Sequence, residues 1–208
     1  MKKESQGAKE RAEGFLFVGN HLALDLLNTR IIPDRSSIEL LPDTAALEKW
    51  LMAAGLVTSA KGRGLVRRWR DSEEARKFLK ELRKFRERLR AVVLLYEGGS
   101  TISARFLTEL NRLLEKYPTR IAVSAKRGRL QREVRFEPSM PREVWAPIIA
   151  ATADLLTEAE SSRVRKCESC IMHFYDVSKK NSRRWCSMNI CGNKVKVAAY
   201  QQRRRAAL

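Results

Sequence analysis

Cys167, Cys170, Cys186 and Cys191 are the only cysteines in a chain of 208 residues, and all four fall within one 25-residue window. A single local site has to account for them. The pattern is C-x2-C, fifteen intervening residues, then C-x4-C, and two close-spaced pairs across a loop suit tetrahedral thiolate coordination of zinc. Two disulfides are the competing reading. The N-terminus MKKESQGAKERAEG begins basic with no apolar segment behind it, so no export signal is seen, the cytoplasm is the expected compartment, and its reducing pool opposes disulfides. His173, three residues after Cys170, also has usable ligand spacing. Four thiolates already close the site, however, so His173 reads as a strand side chain, and one structural Zn²⁺ with no open coordination position is expected.

Charge is the second signal. The chain carries 42 Lys and Arg against 24 Asp and Glu, a net +18. Residues 163–208 hold 12 basic and two acidic side chains, and residues 61–90 hold 13 basic and five acidic, so two basic blocks flank otherwise neutral chain. A polyanionic partner is the first expectation. A composition that is 44% hydrophobic allows a real core. The longest apolar stretches, such as Ala91–Tyr96, fall far short of the roughly 20 residues of a bilayer span, so no membrane role is expected. The only histidines are His21 and His173, and no Ser-His-Asp spacing, phosphate loop, dinucleotide fingerprint or open metal site stands out. The expectation is a protein that is not an enzyme.

These residues need elements to position them. Residues 1–13 read as a mobile charged tail, Phe15–Asn20 as a short strand ending at Gly19, and HLALDLLNT as one or two helical turns. Asp43 is placed to cap a helix through Leu47 and Leu51 that stops at Gly55. Asp71 with Glu74 resembles a capping box, followed by Phe78, Leu82, Phe85, Leu89, Val92 and Val93 in helical phase up to Gly98-Gly99. On this helix Arg76, Lys80, Arg83, Arg86 and Arg90 read as a solvated face, supported by pairs such as Glu73 with Lys77. A helix over Ser103–Lys116, a hairpin within Thr119–Glu137 and a helical run from about Arg142 to Glu160 follow. Pro147 either kinks that run or marks its true first turn. A shift to basic composition at Ser161–Lys166 divides the chain into residues 14–160 and 161–208. The expected class is α+β: a mainly helical N-terminal domain with a small hairpin, then a small zinc-bound, treble-clef-like C-terminal finger.

Within the finger, Cys167–Cys170 would form a knuckle, IMHFYDVS and SRRWC a hairpin turning at Lys179-Lys180-Asn181, and CGNKVKVAAYQQRRR a terminal helix. Some 45 residues with few large apolar side chains cannot bury enough surface alone, so zinc would stand in for a core. Lys194, Ala198, Gln201 and Arg205 share one face of that helix. Such a face can enter a DNA major groove, with Lys194 and Gln201 approaching bases and Arg183, Arg184, Lys196 and Arg203 contacting phosphates. Two other readings stay open: an RNA binder stacking bases on Phe174, Tyr175, Trp185 and Tyr200, and a redox or metal sensor that releases zinc on thiolate oxidation.

The stretch FYDVSKKNSRRWCSMNICGNKVK, with Tyr200 and the arginines behind it, resembles the CGNR-type zinc finger of bacterial transcription regulators. At Lys194 the name-giving motif has Arg, so the charge is kept and the planar fork lost. The segment GNHLALDLLNTR resembles the start of the ABATE domain that precedes such fingers, and the Phe85-Arg86-Glu87 and Glu109-Leu110-Asn111 regions fit it more loosely. The resemblance implies a bacterial, stress-induced, DNA-binding transcription regulator. In the N-terminal domain Asn20, His21, Asp25, Asn28, Thr29 and Arg30 put polar groups close together near a strand end. They read either as a pocket for a small-molecule effector or as helix caps and loop-backbone partners. A single short finger also suggests a homodimer, since specificity usually needs two half-sites.

Overall fold

The computed structural model describes residues 10–31, 37–126 and 128–206. Two short antiparallel pairs, β1 (Arg11–Ala12) with β2 (Phe15–Leu16) and β3 (Arg30–Ile31) with β4 (Ile38–Glu39), flank helix α1 (Leu22–Leu27). Helices α2 (Thr44–Ala53), α3 (Ala60–Trp69), α4 (Glu73–Glu97) and α5 (Ala104–Lys116) follow, then hairpin β5 (Arg120–Lys126) and β6 (Arg129–Arg135). A 3-10 turn at Pro141–Val144 leads into α6 (Trp145–Thr157). The finger consists of β7 (Val164–Lys166) paired with β8 (His173–Tyr175), a loop, a π turn at Met188–Gly192 and α7 (Asn193–Ala206). The architecture is α+β and mainly helical, with a treble-clef-like finger. No helix among the described residues is long and apolar enough to cross a membrane.

Local chemistry explains most boundaries. Asp43 caps α2 by accepting from the Ala46 N–H at 2.8 Å, and Ser103 caps α5. At α4 the cap is Ser72, whose Oγ accepts from Ala75 at 3.0 Å; Asp71, expected in that role, is instead paired with Arg70 at 2.9 Å. Pro147 lies in the first turn of α6, where a missing N–H is tolerated. Arg11–Ala12, within the expected tail, form a strand, and residues 1–9 lie outside the described part. Helix α3 has no counterpart among the sequence expectations, because Gly62 and Gly64 weaken a ten-residue helical pattern. Tertiary contacts hold it: Val66 and Trp69 are buried, and the Trp69 indole N–H donates to the Pro138 carbonyl at 3.1 Å.

Helix α4 is the spine. It is about 37 Å long at 1.5 Å per residue, and its inner face meets an aromatic cluster. Trp145 sits edge-on to Phe78 and Phe85 at 5.5 and 5.1 Å, and Phe106 stacks on Phe85 at 6.1 Å. The solvated-face reading holds for Arg76 and Lys80, and Glu73 pairs with Lys77 at 2.7 Å. It fails for Arg86, which is buried, donates through both terminal nitrogens to Glu39 at 2.8 and 2.5 Å, and reaches Thr29 Oγ1 at 2.8 Å. Burial works against both charges of this pair, yet their mutual contact leaves the Glu39 carboxyl below and the Arg86 guanidinium above its ordinary range. Arg90 is also drawn inward, donating to the Leu27 carbonyl at 2.7 Å.

Candidate zinc centre and nucleic-acid interface

One ligand atom from each of Cys167, Cys170, Cys186 and Cys191 lies within 4.8 Å of the others, and the Sγ atoms of Cys170–Cys186 and Cys186–Cys191 stand 3.7 Å apart. A tetrahedron with Zn–S bonds of about 2.3 Å has edges of about 3.8 Å. The sulfurs are thus spaced to share a zinc ion rather than bonded as disulfides, and all four are free thiols. As thiols they cannot ionise independently. Hydrogen bonds from Cys170 and Cys186 favour a Cys167 thiolate, whereas Cys170 is pushed up to about 12 and Cys186 is also pushed upward. A divalent cation removes that conflict, so the donor set fits one structural zinc.

His173 is not among the ligands. It lies buried in β8, with neither ring nitrogen hydrogen-bonded. Burial first, then the charges of Arg90 and Lys166, push its imidazole down to about 4. The ring is therefore neutral near pH 7, and its 3.6 Å approach to Glu97 is not an ion pair.

The loop between the cysteine pairs is shaped by Asp176 and Arg183. The buried Asp176 carboxylate accepts from the Ser178 and Arg183 backbone N–H groups, each at 2.8 Å. Burial alone would raise this carboxyl, but hydrogen bonds from Ser178 and Arg183 and the charge of Arg165 hold it below the usual range. The Arg183 guanidinium donates to the Trp185 carbonyl at 2.8 Å and to the Cys186 carbonyl, and lies 4.9 Å from the Phe174 ring centroid. It braces the second cysteine pair. Arg184 is exposed, paired with Glu168 at 2.5 Å and placed over the Trp185 ring. The expected hairpin turning at Lys179–Asn181 is absent among the described residues: β8 pairs with β7 around the Cys167–Cys170 knuckle instead, and residues after Tyr175 form an irregular loop. Arg163, which donates to the Asp176 and Ser178 carbonyls at 3.0 Å, helps to hold that loop and was not singled out from the sequence.

Two of the polar residues singled out in the N-terminal domain, Asn20 and Asn28, bond to the finger. Asn28 is buried and bonds the His173 peptide twice, donating to its carbonyl at 2.9 Å and accepting from its N–H at 3.0 Å. The Tyr175 N–H donates to the Gly19 carbonyl at 2.8 Å, and the Asn20 side chain donates to the Tyr175 carbonyl at 2.9 Å. These contacts cover the edge of β8 that β7 leaves free. Gly19 is needed because a Cβ there would come 2.8 Å from Asp25 Oδ1 and 2.9 Å from Leu24 Cβ. Asp25 accepts from the Gly19 N–H at 2.8 Å, and burial pushes its carboxyl up to about 7. His21 caps α1 through Nδ1, with burial lowering its basicity, and Arg30 pairs with Glu87 at 3.0 Å. Two carboxylates add to the junction: Glu97 accepts from the Lys166 N–H at 2.7 Å, and Glu10 accepts from Ser187 Oγ at 2.6 Å. Around the cysteines, Met172 and Phe174 pack with Val18, Leu16 and Ile31 from the N-terminal domain. The finger's small core is therefore shared rather than supplied by zinc alone.

A π turn capped by Ser187 launches α7 from Cys191. A Cβ at Gly192 would meet the Met188 sulfur at 2.3 Å and the Trp185 ring at 3.2 Å, so a larger residue there would require the exposed Met188 side chain to move. Beyond the turn the helix is exposed on nearly every side, including Lys194, Lys196, Gln201 and Arg203, and only Ala199 is half-buried between Asn193 and Arg205. Five basic and no acidic side chains lie on it.

The ABATE model, described as "Putative stress-induced transcription regulator", matches residues 20–159. The chain belongs to the ABATE family. Behind that domain, residues 163–204 match the CGNR zinc finger. No curated protein matches the chain. In this ABATE protein the Asn20–Arg30 segment takes part in the junction that seats the finger on the family domain.

Proposed function

We propose that this protein is a cytoplasmic DNA-binding transcription regulator whose zinc-anchored helix α7 enters the major groove. The observation that carries the reading is α7 itself: 14 residues, about 21 Å, held at one end by the zinc loop and otherwise exposed and cationic. Lys194 and Gln201 face bases in this arrangement, while Lys196, Arg203 and Arg184 take phosphates. Arg183, already committed to two carbonyls, serves as a brace. Duplex DNA is favoured over unpaired RNA because Phe174 is fully buried and Tyr175 and Trp185 are partly packed, leaving Tyr200 as the most exposed of the four aromatics. His21 caps α1 and the His173 ring is buried in β8, which supports binding rather than catalysis. A homodimer reading two half-sites would supply the specificity a single helix lacks.

The test is selection of fragmented genomic DNA by the zinc-loaded chain at near-physiological salt, followed by sequencing. Enrichment of a short motif is expected, and two symmetric copies would report a dimer. Uniform recovery that disappears with added salt would reject sequence-specific regulation in favour of a general polyanion grip.

A further inference from the structure

A cleft in the ABATE domain lies between the end of α5, the base of the β5–β6 hairpin and the start of α6. It encloses about 390 Å³, and none of its lining residues belongs to the finger. Small-molecule sites typically span about 300–1,000 Å³. Tyr117, Phe136, Met140 and Pro147 give it apolar walls.

Its charges are unevenly matched. Glu137 is taken by Lys61 at 2.6 Å, with Arg135 adding a weaker pull that also keeps this carboxyl below its usual range. Glu143 accepts from the Ser139 N–H at 2.5 Å and from Ser139 Oγ at 3.1 Å, and Arg142 is paired with Glu74 at 2.8 Å. That leaves Lys116, Arg120 and Arg135, none with a carboxylate within 4 Å among the described residues. Arg120 and Arg135 stand directly opposite one another in the hairpin ladder. Like charges at such positions destabilise a sheet, and an anion between them removes the penalty. Two guanidiniums also match the flat, two-oxygen geometry of a carboxylate.

We propose that this cleft binds a small carboxylate with a one- or two-ring apolar body, the carboxylate on Arg120 and Arg135 and the rings against Tyr117, Phe136 and Met140. An inorganic anion would leave those walls uncovered, and a neutral aromatic would leave the arginines unmatched. The site gives the ABATE domain an effector of stated chemistry, and it is read on the free protein, independently of DNA binding.

The experiment is calorimetric titration of the full zinc-loaded chain with 1-naphthoate, with 1-naphthamide as its neutral counterpart, and with inorganic phosphate as competitor. Naphthoate is expected to bind once per chain, with Kd about 1 mM or tighter and at least about tenfold below that of the amide. The exposed double variant Arg120→Met, Arg135→Met should erase the difference while zinc content and circular dichroism stay unchanged. A second variant, Ala146→Leu, should weaken both aromatics by narrowing the cleft. Equal binding of acid and amide, no saturable binding at millimolar naphthoate, or full displacement by equimolar phosphate would each overturn the proposal, the last by reducing the site to bare cations.

Discussion

Asn28→Ala should loosen the finger from the ABATE domain. The Asn28 side chain is only 2% exposed, and it is the hydrogen-bonding partner of both the N–H and the carbonyl of His173. Alanine removes two hydrogen bonds and strands two peptide groups on an edge of β8 that β7 does not cover. An unsatisfied buried peptide group costs about 1–3 kcal/mol, and partial access of water trims the sum, so the loss should be about 2–4 kcal/mol. Urea unfolding followed by tryptophan fluorescence at fixed zinc reads it as a lower midpoint at unchanged slope. Zinc transfer to a chelator should accelerate in parallel, because the knuckle ends three residues before His173. Asn28→Asp adds a check: it keeps the acceptor for the N–H and loses the donor, so it should recover part of the stability at most. A loss below about 0.5 kcal/mol, with unchanged zinc transfer, would refute the claim that this clamp seats the finger.

Cys186→Ser should abolish stoichiometric zinc and DNA retention while leaving most helical circular dichroism intact, since the large core lies outside the finger; full zinc and full DNA binding in this variant would defeat the four-thiolate site. Lys196→Ala should flatten the salt dependence of DNA binding by about one unit, whereas Arg183→Lys should leave that slope unchanged and speed zinc transfer. A flattened slope in the Arg183→Lys variant would make Arg183 a phosphate contact after all. Asp25 ionises less readily folded than unfolded, so its stabilising contribution is complete below about pH 4 and is lost as pH rises towards 7. Asp25→Asn keeps the acceptor for Gly19, and its advantage over the wild type in zinc-saturated melts should grow by about 2 kcal/mol between pH 5.5 and 8; a constant difference would mean that Asp25 titrates normally.

The cysteine spacing was legible because a zinc knuckle is local: two ligands from each short turn, and a loop between them. The cap at Asp43 was legible for the same reason, as was a helix beginning near Ser103. Arg86 had a readable signal that its charge obscured, for it falls in one helical stripe with Leu82, Leu89 and Val93, all of them buried. Its partner, Glu39, lies 47 residues away, and no local pattern announces such a pairing. Asn28 and His173 are 145 residues apart, so a polar cluster that reads in one dimension as a pocket or as local caps and loop-backbone partners takes part, in three, in seating the finger. The bonds of Arg183 to the Trp185 and Cys186 carbonyls were not legible, because counting positive charge treats every arginine as free. The strand partner of β8 was missed because Val164–Lys166, on the expected domain boundary, supplied it.

The same junction bears on how α7 would meet DNA. An isolated helix of about 14 residues is marginal in water, because nucleating its first turn is unfavourable. Here the zinc loop and the Ser187 cap form that first turn in advance, and Glu10, Asn28 and Glu97 fix the base from which it projects. Lys194 and Lys196 therefore occupy the part of the helix whose direction is set before binding, which lowers the ordering cost of any contact they make. Arg203, Arg204 and Arg205 lie about two to three turns further on, where each side chain is exposed and only charge is needed. On this division the base contact of Lys194 and the phosphate contact of Lys196 are made from the anchored turns, whereas the three terminal arginines add phosphate attraction from the free ones. A change in how the finger sits on the ABATE domain would then redirect the reading turns while leaving the phosphate grip largely intact, so regulation through that seat would alter specificity before it altered total affinity.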